Sequence, residues 1–260
     1  MASQLLHITV IQPEIVWEDK LTNLHNYEQT IAAITTPKHV VVLPEMFNTG
    51  FSMAAERLGE PMDGPAVTWM AAMAVKYRCI LTGSLIIEEE GLYYNRMLWV
   101  QPDGRIGTYD KRHLFAYAGE NKHYTPGSTR LIAQVNGWRI NLMVCYDLRF
   151  PVWARNTGDA YDVLLYVANW PQKRNLAWKT LLQARAIENM CYVVGANRVG
   201  TDGNGHSYSG DSSVFGPLGE TVWQQSDTPA CHTVTLDKEL LLQTRNQLPF
   251  LNDADKFALT

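Results

Sequence analysis

The sequence predicts an α/β fold in which mixed sheets are covered on the outside by helices. Short apolar runs rich in Val and Ile alternate with stretches whose apolar residues recur every three or four positions, as buried strands and amphipathic helices do. Hairpin signals interrupt that alternation, so part of the strand pairing is antiparallel. No linker, low-complexity tract or fixed-period repeat divides the 260 residues, and a single domain over 1–260 is expected.

Residues 5–11 form an apolar run ended by Gln12-Pro13, a first strand. Leu21, Leu24, Tyr27, Ile31 and Ile34 then keep helical spacing. The run 40–43 is β-branched without alternation, which predicts a strand buried on both faces. Pro65 suits the first turn of a helix carrying Trp69, Met73 and Tyr77. Strands are expected over 80–87 and 92–100, joined by an acidic turn, and over 105–109 after Pro102-Asp103-Gly104. Residues 115–128 show no clear period and read as a long functional loop. The runs 131–135 and 138–144 flank Asn136-Gly137, a dipeptide suited to a type I′ hairpin turn. A helix from Val152, a strand over 163–168, a helix over 176–190 and a strand over 192–196 repeat the alternation. Gly200-Thr-Asp-Gly203-Asn-Gly205 has the wrong glycine spacing for a dinucleotide loop and reads as a plain turn. Strands over 212–215, 220–225 and 232–236 come next, then a terminal helix from Asp237.

Composition narrows the classes. With 46% hydrophobic and 18% charged residues the chain is globular. A net charge of −4, with no basic cluster longer than Lys111-Arg112-His113, argues against a nucleic-acid partner. The N-terminus lacks the basic and apolar regions of a signal peptide, and no apolar run approaches the ~20 residues of a membrane span. Cys79, Cys145, Cys191 and Cys231 form no C-x-x-C and have no His at metal-ligand spacing. Cys79, Cys191 and Cys231 read as small core residues, and the chain as a reduced, cytoplasmic protein.

Three strand ends carry chemistry. The run before Cys145 is mostly apolar and stops at the thiol, followed by a polar segment able to start a helix. An α/β protein exposes a reactive side chain in such a place. Val-Val-Val-Leu43-Pro44 ends on Glu45, and residues 105–109 lead to Lys111. A carboxylate at a buried strand end needs a partner to offset desolvation. That partner is either a structural salt bridge with Lys111 or Arg112, or a functional set in which Glu45 deprotonates the thiol while an ammonium lowers its pKa. Spacing does not decide between them, and Cys145 can equally be a buried hydrophobe. His113 and His206 are the candidates for a Cys–His dyad, with nothing to single out either, and Ser207 and Ser209 lack the G-x-S-x-G pattern.

The motifs themselves resemble the nitrilase (carbon–nitrogen hydrolase) superfamily over almost the whole length. Leu43-Pro44-Glu45, Tyr109-Asp110-Lys111-Arg112-His113-Leu114-Phe115 and Cys145-Tyr146-Asp147-Leu148-Arg149-Phe150-Pro151 occur in the family's order. Gln183-Ala-Arg185-Ala-Ile-Glu188-Asn189 and Asn197-Arg198-Val-Gly200 resemble it as well. The Cys-Tyr-Asp-x-Arg-Phe-Pro form and compact length resemble the omega-amidase branch. The resemblance implies a four-layer α-β-β-α sandwich with its site at one edge of the sheets. It implies Glu45 as general base, Lys111 as oxyanion donor helped by the backbone N–H of Tyr146, and Cys145 as nucleophile. Glu120 matches the family's second glutamate, which would hydrogen-bond Lys111; its plain alternative is a solvated loop acid. No metal or cofactor is implied.

The expected reaction is hydrolysis of the terminal amide of a short dicarboxylic acid monoamide, such as 2-oxoglutaramate or succinamate. A carbamoylase or other small-amide hydrolase is the alternative, and an inactive binding or scaffold protein the rival from another class. An omega-amidase must hold a distal carboxylate, for which Arg174 and Lys173 are candidates that can equally be a solvated pair. Phe47, Tyr117 and Trp170 are expected as apolar pocket walls. Phe150, Val152, Trp153, Leu176, Trp178, Leu181 and Leu182 make either an apolar patch for a homodimer or an assembly of dimers, as the family resemblance implies, or cover for this subunit's own sheet.

Overall fold

The computed structural model describes residues 4–255 and 257. Its first strands are β1 (Leu5–Gln12), β2 (Val40–Val42), β3 (Ile80–Glu89), β4 (Leu92–Val100) and β5 (Ile106–Asp110). A second series comprises β6 (Ile132–Val135), β7 (Trp138–Val144), β8 (Val163–Val167), β9 (Tyr192–Ala196), β10 (Val199–Thr201), β11 (Ser207–Phe215) and β12 (Thr221–Ser226). Strand β13 (Ala230–Asp237) then returns to the first sheet. The helices are α1 (Lys20–Ala32), α2 (Ala55–Leu58), α3 (Pro65–Tyr77), α4 (Pro151–Ala154), α5 (Asn175–Asn189) and α6 (Lys238–Gln247).

The first sheet has the order β13-β1-β2-β3-β4-β5, with β1, β2 and β3 parallel and the rest antiparallel. The second runs β10-β11-β9-β8-β7-β6 with β12 added beside β11, and its centre β7-β8-β9 is parallel. Both sheets are therefore mixed. Asn136 and Gly137 adopt φ of +50° and +81°, as a type I′ turn between β6 and β7 requires.

Four layers result. Ile8, Val40, Met97 and Trp99 of the first sheet share one core with Ile140, Leu142, Leu165 and Val194 of the second. On the outer side of the first sheet, Tyr27 and Ile31 of α1 and Met70 and Ala74 of α3 cover Val41, Leu81 and Leu98. Helix α5 covers the second sheet, and it lies so close that a Cβ on Gly195 would stand 2.5 Å from Leu182 Cδ1. Burial on both faces is why the central strands read as unbroken apolar runs rather than alternating ones. No helix among the described residues is long and apolar enough to cross a membrane.

Several expectations change. The helix expected from Val152 is the single turn α4, because Arg155 leaves helical geometry directly after Ala154. The turn through Gly200–Gly205 joins two strands, and β11 starts at Ser207, five residues before the expected Ser212. Its first half, Ser-Tyr-Ser-Gly-Asp, is too polar to signal a strand from pattern alone. Cys79 and Cys191 are buried as expected, but Cys231 is exposed on β13. Of the apolar residues expected after Cys145, Trp153, Trp178 and Leu182 are buried in the subunit's own core, whereas Val152 and Leu176 remain exposed.

Candidate active site

The ends of β2, β5, β7 and β8 open at one edge of the stacked sheets, and just beyond each stands a polar residue: Glu45, Lys111, Cys145 and Asn169. The structure brings these groups together. Lys111 Nζ donates to Glu45 Oε1 at 2.9 Å and to Glu120 Oε1 and Oε2 at 3.0 and 2.9 Å. Glu45, Lys111 and Glu120 have no exposed side-chain surface, so Glu120 is not a solvated loop acid. The Cys145 thiol lies within the electrostatic reach of Glu45 and Lys111. Cys145 itself takes φ +46°, a left-handed conformation that costs a non-glycine residue energy and turns the chain sharply out of β7 into the 3₁₀ turn Cys145–Arg149.

Two asparagines complete the cluster, and neither is legible in the sequence. Asn95 Nδ2, from β4, donates to Glu45 Oε1 at 2.8 Å and to Glu120 Oε1 at 3.2 Å. The backbone N–H of Asn169 donates to Glu45 Oε2 at 2.9 Å, and its side-chain amide to the Glu45 carbonyl. Glu45 is thus held through both carboxylate oxygens. Asn95 reaches the site by sheet register: the Lys111 backbone N–H donates to the Asn95 carbonyl at 3.0 Å. Only a strand-to-strand alignment gives that contact.

Burial governs the electrostatics. Desolvation alone would lower the Lys111 pKa, but the charges of Glu120 and Glu45 outweigh it and hold the ammonium well above its ordinary range. Desolvation and the Glu45 charge push the Cys145 thiol up, against the opposing pull of Lys111. The neighbouring cation does pull the thiol pKa down, as expected, but burial and the carboxylates outweigh it, and the thiol of the free site is protonated. Glu120 is raised by burial and by Glu45, with Lys111 working against both.

Cys145 opens into a cavity of about 1010 Å³. Tyr146, Trp170 and Arg174 line it, and Tyr117 does so from its exposed rim. Phe47 does not. Met46 adopts φ +42°, which breaks the extended backbone that would put residues 45 and 47 on one side. Phe47 consequently packs on Tyr27 and Trp69 in the outer helical layer. Arg149 and the β10–β11 hairpin residues Asp202, Asn204, His206 and Tyr208 also line the cavity, beyond the walls expected from sequence. No periodic signal marks a hairpin tip, and only His206 stands out there by residue type. The other candidate histidine, His113, points to Asp147, with Nδ1 at 2.8 Å from its Oδ1.

A protonated thiol, a clamped carboxylate and a buried ammonium at one sheet edge define a site built for nucleophilic attack on a carbonyl or nitrile carbon. The chain belongs to the carbon–nitrogen hydrolase family, whose sequence profile matches residues 7–246. It is 47% identical over 259 residues to the omega-amidase YafV of Escherichia coli (strain K12), covering 98% of each chain. It is 29% identical over 253 residues to the 2-oxoglutaramate amidase of Bacillus subtilis (strain 168), covering 96% of this chain and 97% of that one. Among solved structures it is similar to a CN-hydrolase superfamily protein of Xanthomonas campestris that carries an arsenic adduct in its active site. That match has a TM-score of 0.96 and 41% identity, over 98% of this chain and 99% of the other.

Proposed function

We propose that the chain is an omega-amidase, hydrolysing the terminal amide of short dicarboxylic acid monoamides such as 2-oxoglutaramate to the acid and ammonia. The observation that carries this reading is the buried Glu45–Lys111–Glu120 cluster around Cys145, in a chain this similar to an omega-amidase. Glu45 takes the thiol proton as Sγ attacks the amide carbon, so the thiolate forms only when substrate is present. Lys111 and the backbone N–H of Tyr146 hold the oxygen of the tetrahedral intermediate. Glu45 then returns the proton to the leaving nitrogen, and ammonia departs from a thioester. Water activated by Glu45 attacks that thioester, the acid leaves, and the thiol regains its proton. Glu120 and Asn95 keep Lys111 and Glu45 in register throughout.

The distal carboxylate of such a substrate needs a cation at the cavity wall. Arg174 and Arg149 are held there by aromatic faces, over Phe115 and Trp170 at 5.2 Å each. Neither they nor Lys173 has a carboxylate within ion-pair distance among the described residues. Their guanidinium edges are free for an anion, with Arg174 the principal candidate. Ammonia release tests the reading on 2-oxoglutaramate and succinamate, on uncharged amides of equal length, on nitriles and on carbamoyl amino acids. The two monoamides should be turned over fastest, and Cys145→Ala should abolish that turnover while the protein stays folded. A preference for carbamoyl amino acids would make it a carbamoylase, and turnover of none a binding protein. The exposed Val152 and Leu176 fit a two-fold contact between copies, and light scattering at twice the chain mass would establish the homodimer.

A further inference from the structure

Lys111 follows β5 in the first sheet, and Cys145 follows β7 in the second. The backbone bridge between the sheets pairs Glu14 with Val199, on the β1 and β10 side and away from β5 and β7, so strand pairing does not fix the distance between ammonium and thiol. Asp147 bridges the gap. Its Oδ2 accepts Tyr109 Oη at 2.7 Å and the Val144 backbone N–H at 3.0 Å. Its Oδ1 accepts the His113 backbone N–H at 3.1 Å and His113 Nδ1 at 2.8 Å. Tyr109 and His113 stand two residues before and two after Lys111, the first on β5 and the second in the bend that follows it. Val144 and Asp147 flank Cys145. One buried carboxylate therefore grips both sides of the lysine and both sides of the nucleophile.

We propose that Asp147 is a positioning residue that sets the Lys111–Cys145 spacing, with Tyr109 and His113 as its grips on the lysine segment. The surroundings support a clamp rather than simple charge neutralisation. Among the described residues Asp147 has no Lys or Arg partner, and all its bonds come from backbone N–H groups, a phenol and an imidazole. Each grip is itself braced. Trp153 Nε1 donates to Tyr109 Oη at 2.9 Å, and His113 stacks on Phe150 with ring centroids 3.8 Å apart and planes 6° from parallel. Phe150 and Trp153 come from the chain just after the turn Cys145–Arg149, so the lysine segment is packed against the segment that carries the thiol.

The inference rests on the amidase reading and makes a separable demand on it. An oxyanion donor a fraction of an ångström out of place fails in the transition state while substrate binding and the thiol survive. Three quantities test it on the full chain: kcat and KM for 2-oxoglutaramate, the rate of Cys145 alkylation by iodoacetamide, and the thermal midpoint. Asp147→Asn turns an amide N–H toward groups that themselves donate, and should lower kcat about a hundredfold with KM nearly unchanged. His113→Ala, a change at a partly exposed ring, should lower kcat about tenfold. His113→Asn, whose amide nitrogen can take the place of Nδ1, should recover most of that loss. In Asp147→Asn and His113→Ala, alkylation should fall far less than kcat.

Wild-type kcat per folded molecule in His113→Ala and Asp147→Asn, with only a lower thermal midpoint, would make Asp147 merely structural. If Asp147→Asn does not fold, the His113 pair decides alone. His113→Asn as slow as His113→Ala would rule out the hydrogen bond as the grip, and alkylation falling in step with kcat would show that the thiol moved instead. A wild-type protein without amidase activity defeats the functional reading. Wild-type activity that Cys145→Ala abolishes and His113→Ala leaves intact defeats the clamp alone.

Discussion

Strand β8 has a charge cluster around a buried carboxylate at each end, and the two are built on opposite principles. Before its first residue stands Asp162, which accepts the Arg139 backbone N–H at 2.8 Å, Arg139 Nη2 at 2.9 Å and Lys238 Nζ at 2.9 Å. Arg245 Nη1 lies 3.5 Å away and also pairs with Asp159. Three cations serve two acids. At the other end one lysine serves two acids and a thiol. The direction of the shifts follows from this ratio. Burial pushes Asp162 up, but hydrogen bonds from Arg139 and Lys238 more than offset it, and the carboxyl lies below its ordinary range. Glu120, more deeply enclosed, stays raised. A cluster with surplus cations pins its charges in place, while one with surplus acid keeps a proton ready to move.

The sharpest way to break this contrast is to remove the central charge of each cluster. Lys111→Met should leave the thiol intact but lower kcat about a hundredfold or more, because the oxyanion loses its charged donor. A variant that loses stability yet keeps its kcat per folded molecule would turn the Lys111 cluster into another structural one. Asp162→Asn should do the converse. Leaving Arg139, Lys238 and Arg245 without their carboxylate should cost roughly 3 kcal/mol in urea unfolding, with kcat per folded molecule unchanged. A tenfold fall in kcat at undiminished stability would put Asp162 in the wrong class.

The two clusters differ in how far the sequence reveals them, and the reason is physical. Glu45, Lys111 and Cys145 are legible because each ends a strand-like run, and a polar side chain there stands out against its apolar context. The family motifs then add the second glutamate. Asn95 lies in mid-strand and enters the site through antiparallel register, which a linear pattern does not carry. Asp162, Arg139 and Arg245 lie far apart in the chain and meet only because α6 docks beside the start of β7 and β8. Phe47 is misplaced by a linear reading through one backbone angle at Met46. Local punctuation survives in a sequence, whereas contacts made by docking and by single left-handed residues do not.

The smallest expected effect is in the response to pH, and there the two clusters should oppose each other. Asp162 has a folded-state pKa below its unfolded value, so its contribution is complete above the ordinary carboxylate pKa of about 3.9 and is lost as pH falls through the folded value. The stability advantage of the wild type over Asp162→Asn should therefore shrink on acidification below that point. Glu120 is shifted upward, mainly by desolvation. Its contribution is complete below the ordinary glutamate value of about 4.3 and is lost as pH rises through the raised one. Relative to the wild type, Glu120→Gln should gain stability over that rise, since the amide has no proton to lose. Urea midpoints of the three proteins between acid and neutral pH read both slopes at once. Slopes of the same sign would mean that the buried acids of both clusters are held in the same way, and that the surplus of acid around Lys111 has no consequence for where the proton sits.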